Sequence, residues 1–401
     1  MPKLSEKGIS TPLSPIRKLT PLADQTRKKG VKIYHLNIGQ PDIATPDIAL
    51  EAVRNAHIKT LSYSPSEGFE SYREKLVEYY AQQNISLSKG ELLVTTGGSE
   101  AISFILASIT DPGDEIISPE PLYANYKGIA IFHGVKIVPI TSKIEENFSL
   151  PPIEAFEKKI TPYTKAVLIC NPNNPTGYLY TEKELLQLKD LVIKHNIFLI
   201  ADEVYREFAY DNLKHFSILQ SDGLEEHAVI IDSVSKRYSM CGARIGCIAS
   251  KNQELISCTL KFAQTRLSPP SLAQIAAEAA VDTPKTYFEE VIFEYTLRRN
   301  TLLESLSQIK GVRYNHPQGA FYCMAEFPVD DAESFARWLL QDFHYKKQTV
   351  MISPANGFYV TPNLGKRQVR LAYVLNESDL KKAIEVLQEA LKHYPGKSDP
   401  L

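Results

Sequence analysis

Short apolar segments alternate along this chain with longer segments in which apolar residues recur at helical spacing. Such short runs, bounded by turn residues, predict strands that are buried on both faces of a sheet. Six candidates are ELLVTT (91–96), DEIISP (114–119), VKIVPI (135–140), KAVLIC (165–170), IFLIADE (197–203) and HAVIID (227–232). Strands that alternate with helices in this way predict an α/β fold built on a mostly parallel sheet.

The helical segments carry their own start signals and change character towards the C-terminus. TEKELLQLKDLVIKHN begins with Thr181 and has Glu184 three residues later, a capping box ahead of an amphipathic run. From about Tyr287 the pattern becomes a long charged amphipathic helix, then a shorter α+β segment that ends in a helix near Tyr394. This change predicts a second, smaller domain in the C-terminal part of the chain.

Four of the predicted strands end in polar residues that a purely structural sheet does not need. After LLVTT, two glycines precede a helix predicted to begin near Ser99, and such a turn either exposes N–H groups to an anion or is ordinary turn chemistry. After KAVLIC, the loop NPNNPTG either presents rigid amide groups or is a simple turn. Asp202 ends IFLIAD, where it either caps the next helix or faces a ligand.

The fourth strand end carries Ser233, Ser235 and Lys236, with Arg244 eight residues further on. Taken alone, a lysine near an arginine is usually part of a solvated basic surface. The carboxyl ends of parallel strands, however, meet at the ligand-binding edge of an open sheet. An anion cradle, a rigid amide, an acid and an amine at one edge together suit pyridoxal 5′-phosphate, with its phosphate, ring nitrogen and lysine-reactive aldehyde.

Composition and charge indicate which classes of partner the protein is expected to bind. Lysine and arginine number 45 against 47 acidic residues, and this near-neutral charge of −2 disfavours nucleic acid as a partner. The five cysteines show no metal-binding spacing, so we expect reduced thiols, no metal site and a cytoplasmic protein. The N-terminus lacks the apolar core of a signal peptide, and no apolar stretch approaches the roughly 20 residues of a membrane span, so we expect no membrane association.

The segments NPNNPTG, ADEVY and SVSKRYSMCGARIG resemble, in this order, the fold type I aminotransferases of class I/II, nearest the aspartate and aromatic branch. The resemblance runs from LNIGQPD near the N-terminus to VRLAYV near the C-terminus. It implies a large domain with a mostly parallel seven-stranded sheet flanked by helices, and a smaller α+β domain. We place the large cofactor-binding domain at 46–288 and the small domain at 12–45 and 289–401.

The resemblance also implies a role for each matching residue. Lys236 would bond to pyridoxal phosphate and then carry the proton between the substrate Cα and the cofactor, while Asp202 would pair with the pyridine nitrogen. Tyr205 and Asn174 would donate to the phenolic oxygen of the ring, and Tyr123 would stack on its face. The expected phosphate contacts are Gly98, Ser99, Ser233, Ser235 and Arg244.

The substrate and the partner subunit would meet a further set of residues. Arg370 would grip the substrate α-carboxylate, assisted by Gly39 and Asn174, and Ile16 would line a side-chain pocket that tolerates apolar or aromatic substrates. Tyr63 matches a tyrosine that reaches the phosphate of the neighbouring subunit, which implies a homodimer with shared active sites. Arg266 lies near the position of a second, dicarboxylate-binding arginine but is out of register, so it has no assigned role.

The leading hypothesis is therefore an aminotransferase that moves an amino group from an α-amino acid to a 2-oxo acid by a ping-pong route, and we expect 2-oxoglutarate as that acid. A β-lyase or a decarboxylase on the same scaffold is the alternative, because cofactor motifs do not distinguish these reactions. A cofactor-holding regulatory protein is disfavoured, since only about forty residues precede NIGQPD. A nicotinamide oxidoreductase is disfavoured because no Gly-x-Gly-x-x-Gly follows a strand.

Overall fold

The secondary structure follows the predicted alternation of strands and helices. The structure, a computed structural model, describes residues 2–398 and contains within them thirteen strands and fourteen α-helices. The strands are β1 (Lys32–His35), β2 (Leu92–Thr95), β3 (Glu115–Glu120), β4 (Lys136–Thr141), β5 (Thr164–Cys170), β6 (Phe198–Asp202), β7 (Ala228–Ser233), β8 (Gly246–Ala249), β9 (Arg313–Tyr314), β10 (Tyr322–Glu326), β11 (Gln348–Met351), β12 (Ser353–Pro354) and β13 (Gln368–Ala372). The α-helices are α1 (Glu6–Ser10), α2 (Thr20–Lys28), α3 (Asp47–Arg54), α4 (Glu70–Gln82), α5 (Gly98–Ile109), α6 (Asn125–His133), α7 (Ile153–Glu157), α8 (Glu182–His195), α9 (Val234–Arg237), α10 (Gln253–Arg266), α11 (Ser271–Ala280), α12 (Lys285–Ser307), α13 (Ala332–Gln341) and α14 (Glu377–His393).

The central sheet has seven strands in the order β2-β8-β7-β6-β5-β3-β4. All six predicted strands are present, as β2 to β7, and the prediction of a mostly parallel sheet is confirmed. The seventh strand, β8, pairs antiparallel with both β2 and β7. The sequence pattern did not single it out, because its four residues GCIA are too short to give a periodic signal.

Helices cover both faces of this sheet, and the strand residues divide between them. On β7, Val229 and Ile231 pack into the apolar cluster that contains α5 residues, whereas Ile230 packs into the cluster on the opposite face with residues of α4 and α8. Every residue of β7 is buried. Burial on both faces explains why the strand reads as a continuous apolar run rather than an alternating one.

The C-terminal part forms a second sheet with β1 beside it. Strands β12, β13, β10 and β9 form an antiparallel sheet, and β1 pairs in parallel with β11, Lys32 opposite Gln348. This pairing joins the predicted segments 12–45 and 289–401, although the exact domain boundaries stay predictions and residues 399–401 lie outside the described residues. None of the helices within 2–398 combines the length and the low charge that a bilayer span requires.

Candidate active site

The carboxyl edge of the central sheet gathers the four predicted strand ends. Asp202 ends β6 and lies opposite Cys170, the last residue of β5. Ser233 ends β7, and the helix α5 begins at Gly98, three residues after β2. The observed helix start is one residue before the predicted one. The edge therefore brings together groups that are far apart in the sequence, as open α/β sheets do at their ligand sites.

Lys236 lies on the short helix α9, directly behind the strand β7. Its Nζ donates to the Gly39 carbonyl at 2.8 Å and to the Cys241 sulfur at 3.6 Å. Burial lowers the pKa of Lys236, and the cations Arg370 and Arg244 lower it further, although Cys241 opposes this shift. A lysine that loses its proton more readily is a better nucleophile and base at neutral pH.

Asp202 is a buried carboxylate, 7% exposed, at the end of β6. The Tyr126 hydroxyl donates to Oδ2 at 2.6 Å, and the Val204 N–H donates to Oδ1 at 3.4 Å. Burial raises the pKa of Asp202 to about 6, and the hydrogen bonds from Tyr126 and Val204 limit that rise. A bound cation beside this carboxylate would favour its ionised form.

The turn between β2 and α5 forms a backbone cradle that only glycines fit. Gly97 is the N-cap residue with φ 77°, and a Cβ there would lie 2.5 Å from the Arg244 Nη2 atom. A Cβ on Gly246 of β8 would lie 2.9 Å from the Gly98 nitrogen. The Arg244 guanidinium therefore lies against the N-terminus of α5, and together they suit an anion such as a phosphate.

The two serines at the end of β7, Ser233 and Ser235, differ in how their hydroxyl groups are used. The Ser233 hydroxyl donates to the Ile245 carbonyl at 2.7 Å and accepts from the Ser235 N–H at 3.1 Å, so it acts as the N-cap of α9. The two serine hydroxyl oxygens are 2.9 Å apart. Ser233 therefore fixes the position of Ser235 by accepting from its N–H group.

Arg370, on β13, is the largest fully buried side chain of the described chain at 1% exposure. Its Nη1 donates to the Asn174 side-chain oxygen at 2.9 Å and its Nη2 to the Asn37 carbonyl at 2.6 Å. Its Nε has no hydrogen-bond partner, and no carboxylate within residues 2–398 lies within 4.0 Å of the guanidinium. A buried guanidinium without an anion is costly, so this group suits a ligand carboxylate.

Four aromatic rings surround these polar groups. The Tyr205 hydroxyl lies 2.8 Å from that of Tyr322, and the Asn174 side-chain amide donates to the Tyr205 oxygen at 3.4 Å. Tyr123 meets Tyr126 edge to face, with 5.3 Å between ring centroids. The Tyr322 ring also lies under the Arg370 guanidinium, at 4.4 Å. These contacts connect the groups around Asp202 to those around Arg370.

Two further predicted residues are Tyr63 and Ile16. Tyr63 is 80% exposed on the surface of the chain. The Ile16 side chain packs against the apolar cluster of Ala124 and Phe358, and its carbonyl accepts from the Asn37 side chain at 2.9 Å. Phe358 in turn lies 5.0 Å from the Arg370 guanidinium.

Comparisons with known proteins agree with this geometry. The family model for aminotransferase class I and II matches residues 31–387. The aspartate aminotransferase of Bacillus subtilis is 32% identical, with 98% of this chain and 100% of the relative covered. The chain belongs to the aminotransferase class I and II family. A probable aspartate/prephenate aminotransferase of Aquifex aeolicus is 32% identical, with 94% of this chain and 96% of the relative covered.

Solved structures support the same family assignment. The aspartate aminotransferase from Thermus thermophilus with maleate superimposes with a TM-score of 0.89 at 30% identity, covering 98% of this chain and 100% of that one. The alanine aminotransferase from Pyrococcus furiosus gives the same TM-score at 29% identity and the same coverage. This aminotransferase is accordingly a pyridoxal-phosphate-dependent enzyme that transfers amino groups, and the fold type I prediction is confirmed.

The described residues fit that cofactor. The cradle at α5 with Arg244 offers a seat for a phosphate, and Asp202 offers a buried carboxylate for a ring cation. Lys236 has an amine with a lowered pKa, which suits reaction with the cofactor aldehyde. The Arg370 Nε has no hydrogen-bond partner and can bind an anion. Buried polar groups without partners lower the stability of the folded protein when the cofactor is absent, as is common in preformed binding sites.

Sequence reasoning missed Tyr126, Tyr322 and Asn37. Tyr126, in the first turn of α6, follows Tyr123 by three residues and meets its ring edge to face, so this spacing was a usable signal. Tyr322 and Asn37 reach the site only because β10 and the segment after β1 pack there. No local pattern marks such long-range contacts.

A buried ionic cluster beneath Lys236 was also missed. Arg237 donates to Asp232 at 2.5 Å and to Glu207 at 2.7 Å, and the Tyr80 hydroxyl donates to Asp232 at 2.9 Å. Burial alone would raise the pKa of Asp232, but the guanidinium groups of Arg237 and Arg206 hold it below its ordinary value. Because Arg237 is the neighbour of Lys236, this cluster fixes the backbone that carries the lysine.

Gly39 lies where a side chain does not fit. We therefore expect a substitution at this position to lower the stability of the protein. In Gly39→Ala the new Cβ would lie 1.8 Å from the buried Tyr322 hydroxyl oxygen, so Tyr322 must move. We expect a loss of about 1–3 kcal/mol in the free energy of unfolding, measured by urea denaturation. Gly242→Ala is the matched control, since nothing lies within 4 Å of its added Cβ. Equal effects of the two substitutions would contradict the assigned contact.

Proposed function

We propose that this aminotransferase uses Lys236 to bond the cofactor aldehyde and then to move a proton at the substrate Cα. The observation that carries the proposal is the position of the Lys236 amine, a half-buried group whose Nζ donates to the neutral carbonyl of Gly39 at 2.8 Å. Its lowered pKa enlarges the fraction of neutral amine that can take up a proton. Proton transfer by a positioned group typically contributes about 10²–10⁴ in rate.

The proposed cofactor contacts follow from the same geometry. Pyridoxal phosphate supplies a sink for the electrons of a broken Cα bond when it is bound. Asp202 would pair with the ring nitrogen, because that cation relieves the desolvation that raises the pKa of this carboxyl to about 6. Tyr205 and Asn174 would donate to the phenolic oxygen, and Tyr123 would cover the ring face.

The phosphate would be held at the α5 N-terminus. Gly98 and Ser99 contribute backbone N–H groups there, because the first N–H groups of a helix have no partner within it. Arg244 contributes the opposing cation. Of the two predicted serines, Ser235 would donate directly, and Ser233 would orient Ser235 through the hydrogen bond to its N–H group.

The substrate α-carboxylate would be bound by Arg370. Its Nε lacks a partner, while Asn174 and Asn37 fix the other two guanidinium nitrogens. Asn174 also contacts Tyr205, so one amide would connect the substrate to the cofactor. Gly39 has no side chain and so leaves room for the Tyr322 ring, which lies 4.4 Å from the Arg370 guanidinium.

The proposal also covers the two substrates, the amino donor and the amino acceptor, and the oligomeric state of the protein. We propose 2-oxoglutarate as the amino acceptor, and an α-amino acid of the aspartate, aromatic or prephenate-derived classes named for the relatives as the donor. Ile16, in an apolar cluster near Arg370, supports tolerance of apolar side chains. We further propose a cytoplasmic homodimer, in which the exposed Tyr63 reaches the partner's phosphate site.

A half-reaction titration tests the reaction type. Single amino acids are added to the cofactor-loaded protein without any oxo acid, and the visible absorbance of the lysine-bound cofactor is followed. We expect stoichiometric conversion to the amine form of the cofactor and full reversal by 2-oxoglutarate. The responding amino acids identify the donor class.

The competing lyase and decarboxylase readings give a different result in the same titration. There the absorbance returns unchanged while product accumulates catalytically, with pyruvate and ammonia from cysteine-like substrates or carbon dioxide from others. That outcome would reject amino transfer as the main reaction. It would leave the cofactor site intact, because the same residues hold the cofactor in either case.

A further inference from the structure

Arg266, the last residue of α10, contacts both sides of the turn that forms the backbone cradle between β2 and α5. Its Nη2 donates to the Val94 carbonyl of β2 at 3.4 Å and to the Ser66 carbonyl at 3.2 Å. Its Nη1 lies 3.7 Å from the Oε2 atom of Glu100 on α5. The Arg266 and Glu100 side chains are 16% and 17% exposed, so water and salt screen this ion pair less than a surface pair.

Glu100 fixes the turn of the cradle. Its Oε2 accepts from the Thr96 N–H at 2.7 Å, across the tight bend at Gly97, and its own N–H donates to the Gly97 carbonyl at 3.1 Å. The carboxylate belongs to the first turn of α5, where the helix dipole favours a negative charge. The same turn carries Gly98 and Ser99, whose N–H groups would bind the phosphate. A free Glu100 charge would therefore oppose the binding of a second anion there.

The hydrogen bonds of Arg266 alone do not account for an arginine at this position. Its Nε and Nη1 are buried and have no hydrogen-bond partner within residues 2–398. Leaving such groups unpaired costs free energy, which a purely structural contact would not require. Glu100 provides the carboxylate that lies within 4.0 Å of this guanidinium. The charge of Arg266 is thus directed at the acid that holds the cradle.

We propose that Arg266 is a positioning residue for the cofactor phosphate, because it neutralises Glu100 and so lets this carboxylate hold the turn without repelling the phosphate. The inference rests on the proposed function, which places the phosphate at the N-terminus of α5. Arg266 differs in this role from Arg244, whose guanidinium lies directly against the cradle at Gly97.

The test compares pyridoxal phosphate with pyridoxal, the same aldehyde without the phosphate. Each is titrated into the cofactor-free protein, and the visible absorbance of the lysine-bound aldehyde gives its Kd. In Arg266→Met we expect the Kd of pyridoxal phosphate to rise about tenfold, the effect of losing one charged interaction. The Kd of pyridoxal should stay within about twofold, since pyridoxal places no anion beside Glu100.

A second substitution separates neutralisation of Glu100 from loss of the other Arg266 contacts. In Glu100→Gln the charge is removed, while the amide oxygen can still accept from the Thr96 N–H. This variant should bind pyridoxal phosphate at least as tightly as the parent. The double variant Arg266→Met/Glu100→Gln should return to within about threefold of the parental Kd. If the double variant binds as weakly as Arg266→Met, Arg266 acts through the Ser66 and Val94 carbonyls and the inference is wrong.

Arg73→Met is the matched control. Arg73 is a half-buried arginine on α4 whose Nη1 donates to the Lys89 carbonyl at 3.0 Å, and its Nε also has no partner within residues 2–398. Lys89 precedes β2, so this contact lies at the end of β2 opposite to the cradle. The control should change neither Kd.

Two further results would contradict the inference. Equal weakening of both ligands in Arg266→Met would show a general structural effect, and a phosphate preference that this substitution leaves unchanged would reject the role of Arg266 alone. A parent protein that binds pyridoxal as tightly as pyridoxal phosphate would instead reject the proposed phosphate seat, and the inference with it.

Discussion

Replacing Lys236 with Ala should abolish the visible absorbance of the lysine-bound cofactor and reduce turnover by at least about 10²–10⁴. The variant lacks the amine that we propose bonds the cofactor and moves the proton at the substrate Cα. The fold should persist, because α9 is capped by Ser233 and its backbone is fixed by the Arg237 ion pairs with Asp232 and Glu207. The removed amine makes one hydrogen bond to a carbonyl, that of Gly39.

The measurement combines the absorbance spectrum, single-turnover rates and a urea unfolding curve of the same preparation. Lys165→Ala is the control, since Lys165 is a partly exposed lysine near the start of β5 that pairs with Asp114 at 3.7 Å, away from the carboxyl ends of the strands. It should leave the spectrum and the rate unchanged. A Lys236→Ala protein that is folded and turns over at the parental rate would refute the assignment of this lysine.

Much of this site was predictable because its chemistry sits at the ends of strands that the sequence marks clearly. The apolar run before Ser233 identifies β7, and once β7 is known the position of Lys236 at the sheet edge follows. Asp202 and Gly98 follow from β6 and β2 in the same way. A strand of this kind is marked by a short apolar run, so it can be predicted from residues that are adjacent in the sequence.

Other parts depended on tertiary packing, which no local pattern records. Tyr322, 117 residues further along the chain, reaches Tyr205 only because β10 packs against the segment that follows β6. Arg370 reads as an ordinary strand residue until Asn174 and Asn37 are seen to hold two of its nitrogens and leave the third free. Its role could be named from the resemblance, but the unsatisfied Nε that supports the role is a property of the structure alone.

Replacing Asp202 with Asn should make the cofactor-free protein more stable at pH 8 and the cofactor-loaded enzyme less active. The ordinary pKa of an aspartate is about 3.8, and burial raises that of Asp202 to about 6. The folded state therefore binds this proton more tightly than the unfolded chain does. The resulting stabilisation is present at about pH 4 and below, and it is lost as the pH rises through 6.

At pH 8 the ionised carboxylate therefore costs the cofactor-free protein on the order of 3 kcal/mol, from a pKa raised by roughly two units. In Asp202→Asn this cost disappears, and the side-chain oxygen of the amide can still accept from the Tyr126 hydroxyl. We expect the variant without cofactor to be about 1–3 kcal/mol more stable than the parent at pH 8 and no more stable at pH 4. Urea unfolding at both pH values measures the difference.

The loaded enzyme should respond in the opposite direction, with turnover reduced by about 10²–10³, because the amide no longer holds a charge beside the ring nitrogen. Glu203→Gln is the matched control: Glu203 is a buried neighbour whose pKa is also raised by burial, to about 7, but which binds Arg206 and Ser217 rather than the site. It should change stability and leave the rate within a few-fold. A fully active Asp202→Asn enzyme, or one whose cofactor-free form loses stability equally at both pH values, would show that this carboxylate serves the fold and not the cofactor.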